Sequence, residues 1–158
     1  MKKIIILLLT IPLLLLGCSS GTQSTLVDFD HAQLKKQIEV QGFQPKLPAK
    51  MPFEGAKAEF SPPPNQQDVL IFDFFSHGEE NKNHLGFMIV NGKNSSSDME
   101  FEDVSIGDIK GKYAVNNGDA QILRWKDGDI EYSLTYYGKQ SDKEVSKGEL
   151  IETAKSFE

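Results

Sequence analysis

Two histidines and two glutamates stand close together in the segment 77–84, which reads His-Gly-Glu-Glu-Asn-Lys-Asn-His. Imidazole and carboxylate groups are ligands that zinc accepts from proteins, so this segment is a candidate metal site. It lacks the helical H-E-x-x-H spacing, and its Gly, Asn and Lys residues are typical of a loop between two strands. We therefore expect a solvated loop and keep, as the alternative hypothesis, a metal-dependent or hydrolytic enzyme that uses His77 and His84.

Acidic side chains alternate at Asp98, Glu100 and Glu102, which places them on one face of a predicted strand. Carboxylates arranged in this way can attract calcium, but the segment lacks the spacing of a calcium-binding loop. A polar outer face of a sheet is the expected structure. The serines lack a G-x-S-x-G setting, and the chain has neither a phosphate loop nor a dinucleotide fingerprint. These observations favour a protein that is not an enzyme and that needs no metal or cofactor.

An apolar run of 13 residues, Ile4 to Leu16, follows the basic start Met1-Lys-Lys. It is too short to cross a bilayer of ~30 Å, which needs about 20 helical residues, and it is typical of a secretion signal. The run leads into Leu15-Leu16-Gly17-Cys18, which resembles the bacterial lipobox. The resemblance implies that the Cys18 thiol receives diacylglycerol, that the chain is cut before Cys18, and that acyl chains such as palmitate hold the protein to the membrane.

This resemblance sets the expected organisation of the chain. Residues 1–17 form the signal peptide, residues 18–26 a lipid-anchored flexible tether, and residues 27–158 a single domain. Two or three acyl chains anchor a protein stably, whereas a single chain is marginal. We expect a lipoprotein on the extracytoplasmic face of the cell membrane. The alternative is an ordinary secreted protein that carries a free cysteine.

The charge balance bears on the kind of partner. The chain has 23 acidic and 17 basic residues, and loss of the leader with Lys2 and Lys3 leaves a net charge of −8. Arg124 is the only arginine. Nucleic acid is not an expected partner, because neutralising phosphates requires clustered basic charge. The single cysteine excludes an intrachain disulfide and a multi-cysteine metal site.

Period-two patterns between turn signals predict an antiparallel sheet of about six or seven strands. Asp127-Gly128 predicts a hairpin in which Lys126 pairs with Asp129, so that Trp125 faces Ile130 and Leu123 faces Tyr132. The predicted strands cover residues 56–61, 68–76, 84–91, 99–106, 108–115, 120–126 and 129–137.

A helix is predicted at each end of this domain. The first is a short helix in the periodic segment 28–40, with Asp30 as its N-cap and Gly42 after its end; Ile38-Glu-Val40 could instead extend as a strand. The second begins at the capping box Ser141–Glu144 and runs to about Phe157, with Leu150, Ile151, Ala154 and Phe157 on its inner face. Prolines 45, 48 and 52 predict an extended segment between the first helix and the sheet. The expected fold class is α+β, with a curved antiparallel sheet on which both helices pack.

Aromatic residues are the strongest candidates for a binding surface. The chain has ten phenylalanines, four tyrosines and one tryptophan. They either fill the core or line a groove for a hydrophobic ligand. The candidate groove residues are Phe72, Phe74, Phe75, Phe87, Trp125 and Tyr132. We therefore expect a non-enzymatic binding module for a hydrophobic ligand or an envelope protein.

Four segments together resemble a known kind of domain. They are Leu47-Pro48 with Met51-Pro52-Phe53, the stretch 104–114, the stretch 122–134, and the final Ile151-Glu-Thr-Ala154-Lys-Ser156-Phe157. They look like an uncharacterised domain of bacterial sporulation-type lipoproteins and of the outer portions of membrane-anchored anti-sigma factors. The resemblance implies a half-barrel similar to that of lipoprotein carriers and envelope-stress sensors, able to hold an acyl chain. It brings no catalytic residues, and the chain lacks the transmembrane helix and cytoplasmic domain of the sensors, so a signalling role is not expected.

Overall fold

The computed structural model describes residues 25–64, 66–76, 82–92 and 98–158. The predicted signal peptide, the predicted lipobox with Cys18, and His77 lie outside the described residues. Within them the chain forms nine strands, two α-helices and one 3₁₀-helix. These are β1 Val27–Asp28, α1 Ala32–Ile38, β2 Lys50–Met51, β3 Lys57–Phe60, β4 Val69–Ser76, β5 Asn83–Asn91, β6 Glu102–Ile106, β7 Ile109–Val115, β8 Ala120–Asp127, β9 Ile130–Tyr137, the 3₁₀-helix Gly138–Gln140 and α2 Lys147–Lys155.

Seven strands form one open antiparallel sheet in the order β3-β4-β5-β9-β8-β7-β6. Strands β1 and β2 form a separate two-stranded sheet, which the sequence analysis did not anticipate. The predicted α+β class with an antiparallel sheet is confirmed. The total strand content is somewhat larger than expected.

One face of the large sheet forms the core with the two helices. In β4 the side chains alternate, so that Leu70, Phe72 and Phe74 have no exposed area while the residues between them are half-buried. Helix α1 adds Leu34 and Ile38 to this core, and α2 adds its own inner face. Both helices are short, so their stability depends on this packing rather than on helix propensity.

The first helix is shorter than predicted. Asp28, the first residue of the predicted helical segment, pairs with Lys50 in a strand, next to the pair Val27 and Met51. His31 stands at the N-cap of α1, and the Asp30 carboxylate accepts a hydrogen bond from the Ala32 N–H at 2.9 Å. The tertiary pairing of β1 with β2 thus overrides the helical pattern of the first residues.

The hairpin at Asp127-Gly128 forms, but its register differs from the prediction by two residues. Asp127 pairs with Ile130, and Trp125 faces Tyr132 rather than Ile130. The loop consists of Gly128 and Asp129, and Gly128 takes φ +62°, a conformation that glycine adopts without strain. Because a shift of two residues preserves the side-chain alternation, the same side chains still face the core.

The second helix begins later than predicted. Its N-cap is Ser146, which forms a capping box with Glu149. The Ser141 hydroxyl instead donates to the Tyr137 carbonyl at 2.9 Å and accepts the His84 N–H at 3.0 Å. Phe157 lies beyond the helix, in a β-bridge with Pro48.

The predicted acidic strand face at Asp98, Glu100 and Glu102 is wrong, because β6 begins only at Glu102. The preceding Phe101 ring lies 5.2 Å from the Arg124 guanidinium, an arrangement typical of a cation–π contact. Glu102 forms an ion pair with Lys147 at 2.7 Å. The three carboxylates therefore do not form one row.

Glu149, in the first turn of α2, binds Thr25 and Lys143. Its carboxylate accepts hydrogen bonds from the Ser146 N–H at 2.8 Å and from the Thr25 hydroxyl, and Lys143 Nζ lies 3.2 Å away. Lys143 also donates to the Pro52 carbonyl. Burial opposes ionisation of Glu149, but the hydrogen bonds outweigh it and lower its pKa from 4.5 to about 2.

We expect Glu149→Gln to lower the free energy of unfolding by about 1–2 kcal/mol at pH 7. Because the pKa of Glu149 is lower in the folded state, the carboxylate stabilises the fold fully above about pH 5 and loses this effect as the pH falls towards 2. The difference between the variant and the parent should therefore shrink below pH 4, as measured by urea unfolding. Glu152→Gln, at an exposed ion pair, is the control and should change stability by less than about 0.5 kcal/mol. A loss that is equal at pH 7 and pH 2.5 would contradict this account.

Candidate functional site

A groove opens at one end of the core, between the C-terminal end of α2 and the β6–β7 turn. Its volume is about 320 Å³, within the range of small-molecule sites. Four segments of the chain enclose it. The lining residues are Lys46, Ile106, Gly107, Ile109, Trp125, Asp127, Tyr132, Ala154, Lys155 and Phe157.

Three aromatic rings form the apolar wall of this groove. Trp125 and Tyr132 face each other across β8 and β9, with ring centres 5.2 Å apart and nearly parallel planes at 7°. Phe157 stands edge-on to both, at 5.1 Å from Trp125 and 5.9 Å from Tyr132. Offset stacked and edge-on arrangements are favourable for aromatic pairs, so these rings position one another.

The β6–β7 hairpin supplies the facing apolar wall. Ile106 pairs with Ile109 across a loop of Gly107 and Asp108, and Gly107 takes φ +59°. This tight turn brings both isoleucines to the groove. The Gly-Asp pair between two strand patterns was a hairpin signal that the sequence analysis did not use.

The polar side chains lie at the rim. Lys46 Nζ forms an ion pair with the Asp127 carboxylate at 2.9 Å, which raises the pKa of Lys46. The backbone N–H of Lys46 donates to Tyr132 Oη at 3.2 Å. Burial raises the pKa of Tyr132 above its usual value of 10, so the hydroxyl keeps its proton at neutral pH. The rim thus joins the proline-rich segment to the β8–β9 hairpin.

The structure separates the six aromatic residues that the sequence analysis grouped. Trp125 and Tyr132 line the groove. Both are also core residues, since Trp125 is 5% and Tyr132 2% exposed. Phe72, Phe74 and Phe87 are equally buried but do not line the groove. Phe75 is half-buried on the opposite face of the sheet. The alternation of side chains along β4 explains this, because Phe74 and Phe75 necessarily face opposite sides.

Phe157 is the groove residue that the sequence analysis assigned to a helix. Its ring also packs edge-on against Phe87 at 4.9 Å, so it closes the core as well as lining the groove. Lys46 and Ile109 had no distinguishing local pattern. Both line the groove because the fold brings their segments together, and no local sequence pattern shows this.

His84, the other sequence candidate, lies on β5 on the face opposite the groove. Its Nε2 lies 2.8 Å from the Asp73 carboxylate and its Nδ1 2.8 Å from Gln140 Oε1. The imidazole is stacked between the rings of Phe75 and Tyr137, with centres 4.4 and 4.2 Å away. Both ring nitrogens are therefore engaged in hydrogen bonds, as in a structural histidine.

The proposed pairing of His77 with His84 falls partly outside the described residues, because His77 is not among them. In the described ranges no three His, Cys, Asp or Glu side chains come together in a way that could hold a metal ion. The sheet places His84 beside one carboxylate, that of Asp73.

None of the helices in the described part of the chain is long and apolar enough to cross a membrane. Comparison of this chain with protein-family models, with curated proteins and with solved structures returns no match.

Proposed function

We propose that this protein is a non-enzymatic binding module, held to the extracytoplasmic face of the cell membrane by lipid on Cys18, that takes the apolar part of a small ligand into the groove. The observation that supports this function best is the groove itself. It has a volume of about 320 Å³, and aromatic side chains of the hydrophobic core line it.

The distribution of lining residues fits an amphipathic ligand. The interior surfaces are apolar, from Ile106 and Ile109 on one side and the three aromatic rings on the other. The charged side chains of Lys46, Asp127 and Lys155 are at least partly open to solvent. Small-molecule sites commonly combine such an apolar lining with a few polar groups that orient the ligand.

The lipobox supports a position near the membrane. The chain from Cys18 to Thr25 can reach at most about 25 Å at ~3.6 Å per residue. Thr25 contacts the start of α2, and the groove lies at the other end of that nine-residue helix, about 13 Å further at ~1.5 Å per residue. A groove this close to a bilayer has access to membrane-derived amphiphiles. The curved half-barrel implied by the resemblance to lipoprotein carriers is part of this proposal.

The single tryptophan gives a direct test, because Trp125 lies in the groove. We expect 8-bromooctan-1-ol to quench its fluorescence saturably in the domain that begins after the tether, since bromine quenches tryptophan on contact. Ile109→Glu should weaken this binding at least tenfold by placing a charge in the apolar wall. Ile71→Glu is the matched control, because Ile71 is also a half-buried strand residue but lies on the opposite face of the sheet.

Saturable quenching that Ile109→Glu alone abolishes would support the groove as the binding site. Linear, collisional quenching in the parent protein would contradict the ligand-binding function. That result would favour an envelope protein as the partner. Equal weakening by both isoleucine variants would likewise count against the groove.

A further inference from the structure

We propose that the groove selects amphiphiles whose polar end is an oxyanion, with carboxylate-headed alkyl chains as the test case. This inference rests on the proposed function, because it names the class of ligand for the same groove. It follows from an imbalance between hydrogen-bond donors and acceptors among the lining side chains.

The indole N–H of Trp125 is the first donor without a partner. Trp125 is 5% exposed, and in the described part of the chain its N–H makes no hydrogen bond. Arg124 Nε is the one fully buried side-chain polar atom there that lacks a partner, so the Trp125 N–H keeps some access to the outside. Trp125 is one of the residues that line the groove. A largely desolvated donor of this kind favours a ligand that supplies an acceptor.

The Tyr132 hydroxyl is the second donor. Its oxygen already accepts the Lys46 N–H at 3.2 Å, and its own proton has no acceptor among the described residues. A hydroxyl has one proton to donate besides its acceptor capacity, so Tyr132 offers the groove a donor. Because burial raises the pKa of Tyr132, this proton stays in place at neutral pH.

The charges at the rim add to the same preference. The lining contains two ammonium groups, those of Lys46 and Lys155, and one carboxylate, that of Asp127. The ion pair with Lys46 neutralises Asp127. Lys155 pairs with Glu152 through an exposed contact within one helix turn. Such an ion pair contributes little free energy, so Lys155 can give it up for a ligand oxyanion at little cost. The side chains of the groove therefore present spare donors and positive charge, while their one carboxylate is already paired.

The size of the groove limits the ligand. A volume of about 320 Å³ corresponds to roughly ten water-sized atoms at ~30 Å³ each. Octanoate, an eight-carbon carboxylate, has a matching size. Longer chains would extend from the groove into solvent.

The test compares three probes that share one alkyl chain: 8-bromooctanoate, 8-bromooctan-1-ol and 8-bromooctylammonium. Each is titrated into the protein while the fluorescence of Trp125 is recorded. We expect the carboxylate to bind at least tenfold more tightly than the alcohol, which equals about 1.4 kcal/mol. The ammonium should bind most weakly of the three.

Lys155→Gln should reduce the preference for the carboxylate at least threefold and leave the alcohol unaffected. Lys139→Gln is the matched control, because Lys139 lies on the 3₁₀-helix, is not a groove residue, and pairs with Asp119 at 3.7 Å. As a second measurement, octanoate should shift the single indole N–H signal in a ¹H–¹⁵N spectrum further downfield than octan-1-ol does.

Equal binding of the carboxylate and the alcohol would overturn the oxyanion preference while leaving the hydrophobic groove intact. Tighter binding of the ammonium would also overturn it. If none of the three probes quenched the fluorescence saturably, the result would contradict the proposed function on which this inference rests.

Discussion

Leu150→Ala is expected to lower the free energy of unfolding by about 2–5 kcal/mol. Leu150 has no exposed area and packs in the core between α2 and the large sheet. Its truncation removes buried apolar surface and leaves a cavity that the surrounding strands fill only partly. Since natural domains are stable by only about 5–15 kcal/mol, this one change should be visible in every unfolding probe.

Urea unfolding followed by Trp125 fluorescence and by circular dichroism is the measurement. A single coincident transition is expected, because residues 27–158 are predicted to form one domain. Lys147→Ala is the control, since this side chain is partly exposed on the same helix and should cost less than about 1 kcal/mol. A loss below about 0.5 kcal/mol for Leu150→Ala would mean that α2 contributes little to the fold.

Cys18→Ala is expected to abolish lipid attachment completely. The thiol is the atom to which the lipobox resemblance assigns diacylglycerol, and the chain has no second cysteine to replace it. Without acyl chains the domain loses ~0.8 kcal/mol of membrane affinity for each CH₂ that was buried in the bilayer. Metabolic labelling with a radioactive or alkyne-bearing palmitate, followed by membrane fractionation, measures both effects.

Ser19→Ala is the matched control for this experiment. It alters the neighbouring residue while keeping the thiol, so labelling should persist. Release of the Cys18→Ala protein from the membrane fraction, or retention of its uncut signal peptide, would support the anchor. Continued labelling of that variant would show that the lipid is attached elsewhere or that the lipobox interpretation is wrong.

Local patterns in the sequence predict several elements of this fold. The apolar run Asp68–Ser76 predicts a strand with apolar side chains on both faces, and the structure forms this strand over Val69–Ser76, with one face buried and the other half-buried. Asp127-Gly128 marks a hairpin, although the register differs by two residues. Both features are local, because alternation and turn chemistry act over a few residues.

The start of α2 shows why local pattern is insufficient. Ser141–Glu144 and Ser146–Glu149 are both capping boxes in sequence. The first is not used, because the Ser141 hydroxyl binds the Tyr137 carbonyl and the His84 N–H. Tertiary contacts therefore choose between two motifs of similar local strength.

The groove was only partly accessible to sequence reasoning. Trp125 and Tyr132 were candidates because large aromatic residues facing one side of a sheet are available for contact. Lys46, Ile109 and Phe157 come together from three segments separated by about fifty to a hundred residues of chain. No local spacing encodes a space between such distant segments, because its shape depends on how the sheet, the β6–β7 turn and α2 meet.

The sequence by itself thus determined the acidic charge balance and indicated the strand-forming segments. It also predicts a secretion signal with a lipobox cysteine, since each of these features depends on the type and spacing of neighbouring residues. Only the tertiary structure decided which aromatic residues fill the core and which line the groove. Phe72 and Phe74 lie in the core because other aromatic rings cover them, with Phe29 edge-on to Phe74 at 5.5 Å and Phe60 stacked on Phe72 at 4.9 Å. Trp125 and Tyr132 are buried as well, but they line the groove because α2 ends at Lys155 beside them.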